Sequence, residues 1–141
     1  MSLEQSLQNR ATTDSTISSL VSTRVYPEAA PQAATLPYVV YSRVSTIRYP
    51  HITGPSGVVA ARMQFDVIAA TYAAAKPIAD AIRLRFDGYR GTMGTSPYTT
   101  VVRNVTLENE IDGLAVPVSG NAPDKYRVIL DFMFTYNETT S

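Results

Sequence analysis

The sequence predicts an α+β fold, an antiparallel β-sheet of about four to five strands with helices packed on one face. Two long stretches alternate at period two, Val58 to Ala70 and Lys125 to Tyr136, as half-buried strands do. Between them Ile78, Ile82 and Phe86 recur every four residues, the spacing of a helix with one apolar stripe. A chain of 141 residues has the size of a single domain, 1–141. Residues 1–22 read as an N-terminal helical segment and 137–141 as a flexible tail.

The elements follow in order. Ser2 with Gln5 reads as a capping box that opens a short helix, with Leu3 and Leu7 on one face. Asp14 or Thr13 can cap a second helix, whose apolar side is Ile17, Leu20 and Val21. Arg24 to Tyr26 is a short strand stopped by Pro27. Prolines 27, 31 and 37 make residues 28–37 an extended connector. Tyr38 to Ser45 is a strand, and 46–57 a loop broken by Pro50, Gly54, Pro55 and Gly57.

In the strand from Val58, one face is Val59, Ala61, Met63, Phe65, Val67 and Ala69, and the other is mixed. Thr71 caps a helix that runs to about Phe86, with Arg83, Arg85 and Asp87 facing outward. Pro77 inside it removes one backbone bond and should kink or delay its first turn. Gly88 and Gly91 end the helix, and 88–97 reads as a loop. Thr99 to Glu108 alternates again, and 109–124 is long and turn-rich. In the last strand Tyr126, Val128, Leu130, Phe132, Phe134 and Tyr136 form one stripe.

Apolar content of 45% against 17% charged residues favours a globular chain. The formal net charge of zero supplies no long-range attraction for nucleic acid or an anionic membrane. Residues 101–141 hold Glu108, Glu110, Asp112, Asp124, Asp131 and Glu138 against Arg103, Lys125 and Arg127, while 51–100 lean basic. Opposite charge on two faces suits head-to-tail pairing in a ring, but an ordinary solvated surface is the commoner reason for such a spread. The absence of cysteine excludes disulfides and thiolate metal sites. The polar N-terminus lacks the apolar core of a secretory signal, and no stretch has the apolar length of a membrane span.

No residue set for catalysis stands out, and the chain reads as a non-enzyme. His51 is the sole histidine, and one histidine without cysteines rarely makes a metal site. No Gly-x-Ser-x-Gly elbow is present. The stretch Gly88 to Gly94 lacks the Lys-Ser/Thr of a phosphate loop. Asp66 and Asp131 lie mid-strand, where a cross-strand partner such as Arg62 or Arg127 is the commoner use than a carboxylate pair. No cofactor is implied. All basic residues except Lys76 and Lys125 are arginine, and tyrosine outnumbers phenylalanine by nine to four. Both biases suit a protein interface, although tyrosine also suits strands.

The order of these pieces carries a resemblance. A helical pair precedes Arg24-Val25-Tyr26-Pro27, then Leu36-Pro37-Tyr38-Val39-Val40-Tyr41 follows an Ala/Pro connector. Next come Ala70-Thr71-Tyr72, the helix with Ala79-Asp80-Ala81-Ile82-Arg83, and Asp87-Gly88-Tyr89-Arg90-Gly91. The chain closes on Tyr126-Arg127-Val128-Ile129-Leu130-Asp131-Phe132. This order resembles the tail-completion or tail-terminator proteins of long-tailed bacteriophages over nearly the whole chain; Pro77 and 109–123 depart from the pattern. The resemblance implies a virion protein of the tail-head junction, present in the host cytoplasm during assembly. It implies a homo-oligomeric ring, a hexamer, that caps the tail tube, ends its polymerisation and offers a surface to the head connector. The implied partners are further copies of the chain, the tail tube protein and a head-connector or head-closure protein. DNA would pass through the lumen without being read. Another neck role, head closure or head-to-tail adaptor, is the alternative. Segments 46–57 and 109–123 would make the outside contacts, with Arg48, Tyr49, His51, Arg90, Glu108, Glu110, Asp112 and Asp124 as interface candidates.

Overall fold

The computed structural model describes residues 2–28, 35–51, 54–95, 98–114 and 126–137. Three helices are present among them: α1 (Ser2–Thr12), α2 (Ser15–Val21) and α3 (Tyr72–Phe86). The strands are β1 (Val25–Pro27), β2 (Tyr38–His51), β3 (Gly54–Ala69), β4 (Gly91–Thr95), β5 (Tyr98–Leu114) and β6 (Tyr126–Asn137). They form one sheet in the order β1-β2-β3-β6-β5-β4.

The sheet corrects the expected fold class. It has six strands, and it is mixed, because β1 runs parallel to β2 from Val25 opposite Val39 to Pro27 opposite Tyr41. The other pairs are antiparallel. The long strands form a half-barrel with few helices, rather than four to five antiparallel strands with helices layered on one face. Two physical features account for the change. Bulges in β2 and β5 let those strands continue past the points where their alternation breaks. The glycine-containing stretch after α3, expected as loop, pairs with β5 from Gly91 opposite Val102 to Thr95 opposite Tyr98.

The centre of the sheet is the β3–β6 pair, in unbroken register from Val58 opposite Asn137 to Ala69 opposite Tyr126. Its inner face is the apolar stripe of each strand. Val59, Ala61, Met63, Phe65, Val67 and Ala69 of β3 are buried, as are Val128, Leu130, Phe132, Phe134 and Tyr136 of β6. Strict alternation placed every one of these on one side. Phe65, Phe86, Phe132 and Phe134 form a connected aromatic cluster, with centroid separations from 5.2 Å for Phe65–Phe86 to 6.2 Å for Phe132–Phe134.

Helix α3 covers this cluster through Ile78, Ile82 and Phe86, helped by Ala75, Ala79 and Ala81. Thr71 caps it, its hydroxyl accepting from the Ala74 amide at 3.1 Å. The helix starts at Tyr72 despite Pro77, so its first turn is not delayed. Asp14 caps α2, with Oδ2 accepting from the Ile17 amide at 3.0 Å. Leu3, Leu7, Ile17 and Val21 bring both N-terminal helices into the same core. The side chain of Ser2 lies outside the described set, and with it the expected capping box. Tyr41 Oη donates to Gln8 Oε1 at 2.8 Å, and burial, then Glu4 and Glu28, push its pKa up to about 12. The phenol therefore stays a donor at any ordinary pH.

The connector 29–34, the stretch 115–125 and residues 138–141 lie outside the described residues. Asn137, expected in the tail, ends β6 instead.

Candidate protein interface

The outer face of the sheet carries the alternate residues of β3 and β6, on the side opposite their buried apolar stripes. Across its middle the register sets Gln64 opposite Asp131 and Asp66 opposite Ile129. On the neighbouring strands Ser42 lies beside Gln64 and Asn109 beside Asp131. Two diagonal ion pairs cross the centre. Arg127 contacts Asp66 directly, and Arg62 Nη1 lies 3.6 Å from Asp131 Oδ2. Gln64 Nε2 donates to Asp66 Oδ1 at 2.8 Å. Asp66 and Asp131 are therefore structural partners of arginines, the cross-strand use expected from their positions. Among the described residues Arg127 Nε and Asp131 Oδ1 are buried side-chain polar atoms that the protomer leaves without a hydrogen bond.

Apolar residues flank this charged band. Toward one end lie Ile47, 51% exposed, Tyr49, 48% exposed, and Val101, 49% exposed. Toward the other lie half-buried Ile129 and, beside it, Ile111, 46% exposed. Isolated exposed apolar side chains are ordinary, but here most share one face with a ring of partly desolvated charge. That mixture of apolar anchors and arginine is the composition of a protein contact surface.

The inner side of β5 has a different job. After its second bulge, Glu110 lies opposite Leu130 and Asp112 opposite Val128, which turns both acids toward α3. Lys76 Nζ reaches Glu110 Oε2 at 3.1 Å and Asp112 Oδ1 at 3.3 Å, while Tyr72 Oη donates to Asp112 Oδ2 at 2.7 Å. Hydrogen bonding to Glu110 first, then to Asp112, raises the Lys76 pKa. The Tyr72 hydrogen bond first, and then Lys76, lower that of Asp112, and the same bond to Asp112 raises that of Tyr72. Glu110 and Asp112 thus tie the first turns of α3 to β5.

The sign of the pH effect follows. A lowered carboxylate pKa contributes stability that is present above the unfolded value and is lost as pH falls through the folded one. The Asp112→Asn variant should therefore unfold more easily than the parent at neutral pH by a small margin. Denaturant midpoints of the two should converge as pH falls below about 4.

Near the ends of α1 and α3 a cleft of about 190 Å³ is lined by Arg10, Asp14, Thr16, Ala81, Leu84 and Arg85. Arg10 Nη2 donates to the Arg85 carbonyl at 2.8 Å, and Arg85 Nε to the Arg10 carbonyl at 3.0 Å. Each guanidinium thus satisfies a last-turn carbonyl of the other helix. Arg85, expected to face outward, is a helix-to-helix tie. The Arg10 guanidinium also lies 3.5 Å from the centroid of the Tyr89 ring.

The interface candidates fall in several places. Arg48 and Tyr49 stand exposed on β2. His51 is the last residue of β2, and its side chain lies outside the described set. Arg90 is exposed just before β4 and Glu108 is exposed on β5. Glu110 and Asp112 serve α3 as above, and Asp124 lies outside the described residues. Sequence reading missed the outer-face set of Arg62, Gln64, Asp66, Arg127 and Asp131 as one group. Its signal was the charge on the mixed faces of two strands whose pairing only the register reveals.

Among the described residues no group of three or more His, Cys, Asp or Glu side chains has the arrangement of a metal site. No described helix is long and apolar enough to cross a membrane. A family model described as Tail completion protein gp17 matches residues 5–105. The chain belongs to this family. It is a structural protein of the bacteriophage tail and is located in the virion. No curated protein matches the chain. Among solved structures, a chain of "Virion of native gene transfer agent (GTA) particle" matches with a TM-score of 0.72 at 20% identity, covering 94% of this chain and 92% of that one. At that identity the likeness of the tail completion protein to it is one of fold.

Proposed function

We propose that this tail completion protein acts as a tail terminator. Copies of it form a ring, a hexamer, on the finished tail tube, stop its growth and present the surface to which the head connector attaches. The observation that carries the reading is the outer sheet face, with its apolar anchors around a partly desolvated charge cluster, in a chain of the tail completion family. Its mechanism is binding rather than catalysis: a closed ring removes the free end to which tube subunits add. DNA passes through the lumen without base-specific contact, in keeping with the zero net charge. The exposed Arg48, Tyr49, Arg90 and Glu108 belong to its outside contacts in this reading.

Removal of the gene from the producing phage or prophage tests it. Electron microscopy should show tails of uncontrolled length without heads, and supplying the gene in trans should restore uniform, headed tails. Tails of uniform length that fail to join heads would replace the terminator by a head-closure or head-to-tail adaptor role. Normal particles without the gene would end both readings.

A further inference from the structure

The cleft near the ends of α1 and α3 holds charge that the protomer does not balance. Arg10, Asp14 and Arg85 line it together with Thr16, Ala81 and Leu84. The ties between the helices use only part of each guanidinium. Arg10 gives Nε and Nη2 to the Arg85 carbonyl, and Arg85 gives Nε to the Arg10 carbonyl. A guanidinium carries five N–H groups, so Arg10 keeps Nη1 without a hydrogen-bond partner among the described residues.

Asp14 is the one carboxylate among the lining residues. Its Oδ2 accepts from the Ile17 amide, and its Oδ1 stands 3.9 Å from Arg85 Nη1. Among the described residues no carboxylate forms an ion pair with Arg10. Two guanidiniums against one carboxylate leave one positive charge in excess. Burial, then the charge of Arg85, lower the Arg10 pKa, as a like-charged neighbour does.

The rim of the cleft is apolar. Leu84 lines it and has the highest exposure of the large apolar side chains described. No core role accounts for Leu84, since α3 buries its other side through Ile78, Ile82 and Phe86. At about 190 Å³ the cleft falls below the roughly 300–1,000 Å³ of small-molecule sites and suits one inserted side chain. An arginine with free donors beside an apolar anchor is the make-up of a protein contact centre.

We infer that the cleft receives an aspartate or glutamate side chain of another tail protein, with an aliphatic residue beside that acid packed on Leu84. The carboxylate cancels the excess charge and accepts from the free N–H groups of Arg10. A nucleic-acid backbone fits less well, because it needs a positive groove several nucleotides long and has no use for the leucine. Among the described acids of this chain, Glu28, Asp80 and Glu108 are the ones without an ion pair or side-chain hydrogen bond. None of the three has an exposed Leu, Ile or Val next to it in sequence. That points to a different protein rather than a second copy. The inference goes beyond the terminator reading and holds equally for a head-closure role.

Thr16 provides the test. It is exposed in the first turn of α2 and lines the cleft, so Thr16→Glu supplies the missing carboxylate from within and should leave the fold intact. Thr16→Gln is the uncharged control of equal size, and the denaturant midpoints of both should match the parent. Tails would be assembled in a host that supplies each variant in place of the native gene. Copies of the protein per purified tail would be counted by quantitative immunoblot. Thr16→Glu should lower that count by about tenfold, which corresponds to about 1.4 kcal/mol of lost binding, while Thr16→Gln should stay near the parent. Leu84→Ala should lower the count as well, at unchanged stability. Equal counts for Thr16→Glu and the parent would overturn the inference. So would an equal loss in Thr16→Gln, which would show that bulk matters and charge does not. The photo-cross-linker p-benzoylphenylalanine in place of Leu84 then identifies the occupant. Irradiated tails should give an adduct to a different tail protein, mapped by mass spectrometry to a segment with an acid beside an aliphatic residue. An adduct to a second copy or to DNA, or no adduct in tails that carry the probe, would overturn the inference. Tail length after gene removal reads the terminator role separately.

Discussion

Replacement of Phe65 by Ala should lower the unfolding free energy by about 3–5 kcal/mol. Phe65 is fully buried on the central strand and meets Tyr41, Phe86 and Phe132 at centroid distances of 6.3, 5.2 and 5.5 Å. The loss combines the transfer free energy of the ring with a cavity that a rigid central strand cannot close. Urea unfolding followed by circular dichroism reads it, and the midpoint should fall by about 1–3 M if the slope is typical of a small protein. A midpoint within error of the parent would show that the cluster is not the stabilising centre. A double-mutant cycle with Phe86→Ala adds a second check. The two losses should sum to more than the double variant shows, because the rings share a contact worth about 0.5–1.5 kcal/mol beyond burial.

The second large effect is expected at Ile82. Ile82→Ala should cost about 2–5 kcal/mol, because this side chain is 1% exposed at the middle of the covering face of α3. Leu84, two residues on and 73% exposed, is the internal control. Leu84→Ala should change the unfolding midpoint little. Equal losses at the two sites would mean that α3 does not lie on the sheet as described.

Much of this architecture was legible because β3 and β6 keep strict period two over their whole length. Their inner stripes and the Ile78, Ile82, Phe86 face of α3 needed nothing beyond periodicity. The errors lie where periodicity is broken. In β5 the buried residues are Thr100, Val102 and then Val105, because a bulge after Val102 shifts the register by one. Simple alternation instead puts Val101 and Val105 on the same face, yet Val101 is exposed. In β2 the bulge between Arg43 and Ser45, followed by Pro50, made 46–57 look like a loop, whereas β2 and β3 pair there from Thr46 opposite Ala61 to His51 opposite Gly54. Nor does a three-residue strand such as β1 carry a mark of its direction, so its parallel pairing was invisible.

The candidate interface was less legible than the fold. Acidic residues near turn signals look solvent-facing in sequence, yet Glu110 and Asp112 meet Lys76 and Tyr72 across 34 to 40 residues of chain. The arginine–aspartate pairs of Asp66 and Asp131 were foreseeable as chemistry. Their grouping into one outer patch was not, since it depends on Gln64 facing Asp131 in a particular register.

The β3–β6 register also governs the order of events during synthesis. Val58 pairs with Asn137, and every rung of the central pair needs a residue from 126 onward. The middle of the sheet cannot close while a ribosome still holds those residues, although α1, α2 and the β2–β3 hairpin have already emerged. Until then the apolar stripe of β3 has no β6 beside it. Such distant pairing is characteristic of slow folders, in the millisecond-to-second range, rather than of helical bundles. An outer surface complete across the sheet therefore exists only once β6 has emerged and paired with β3.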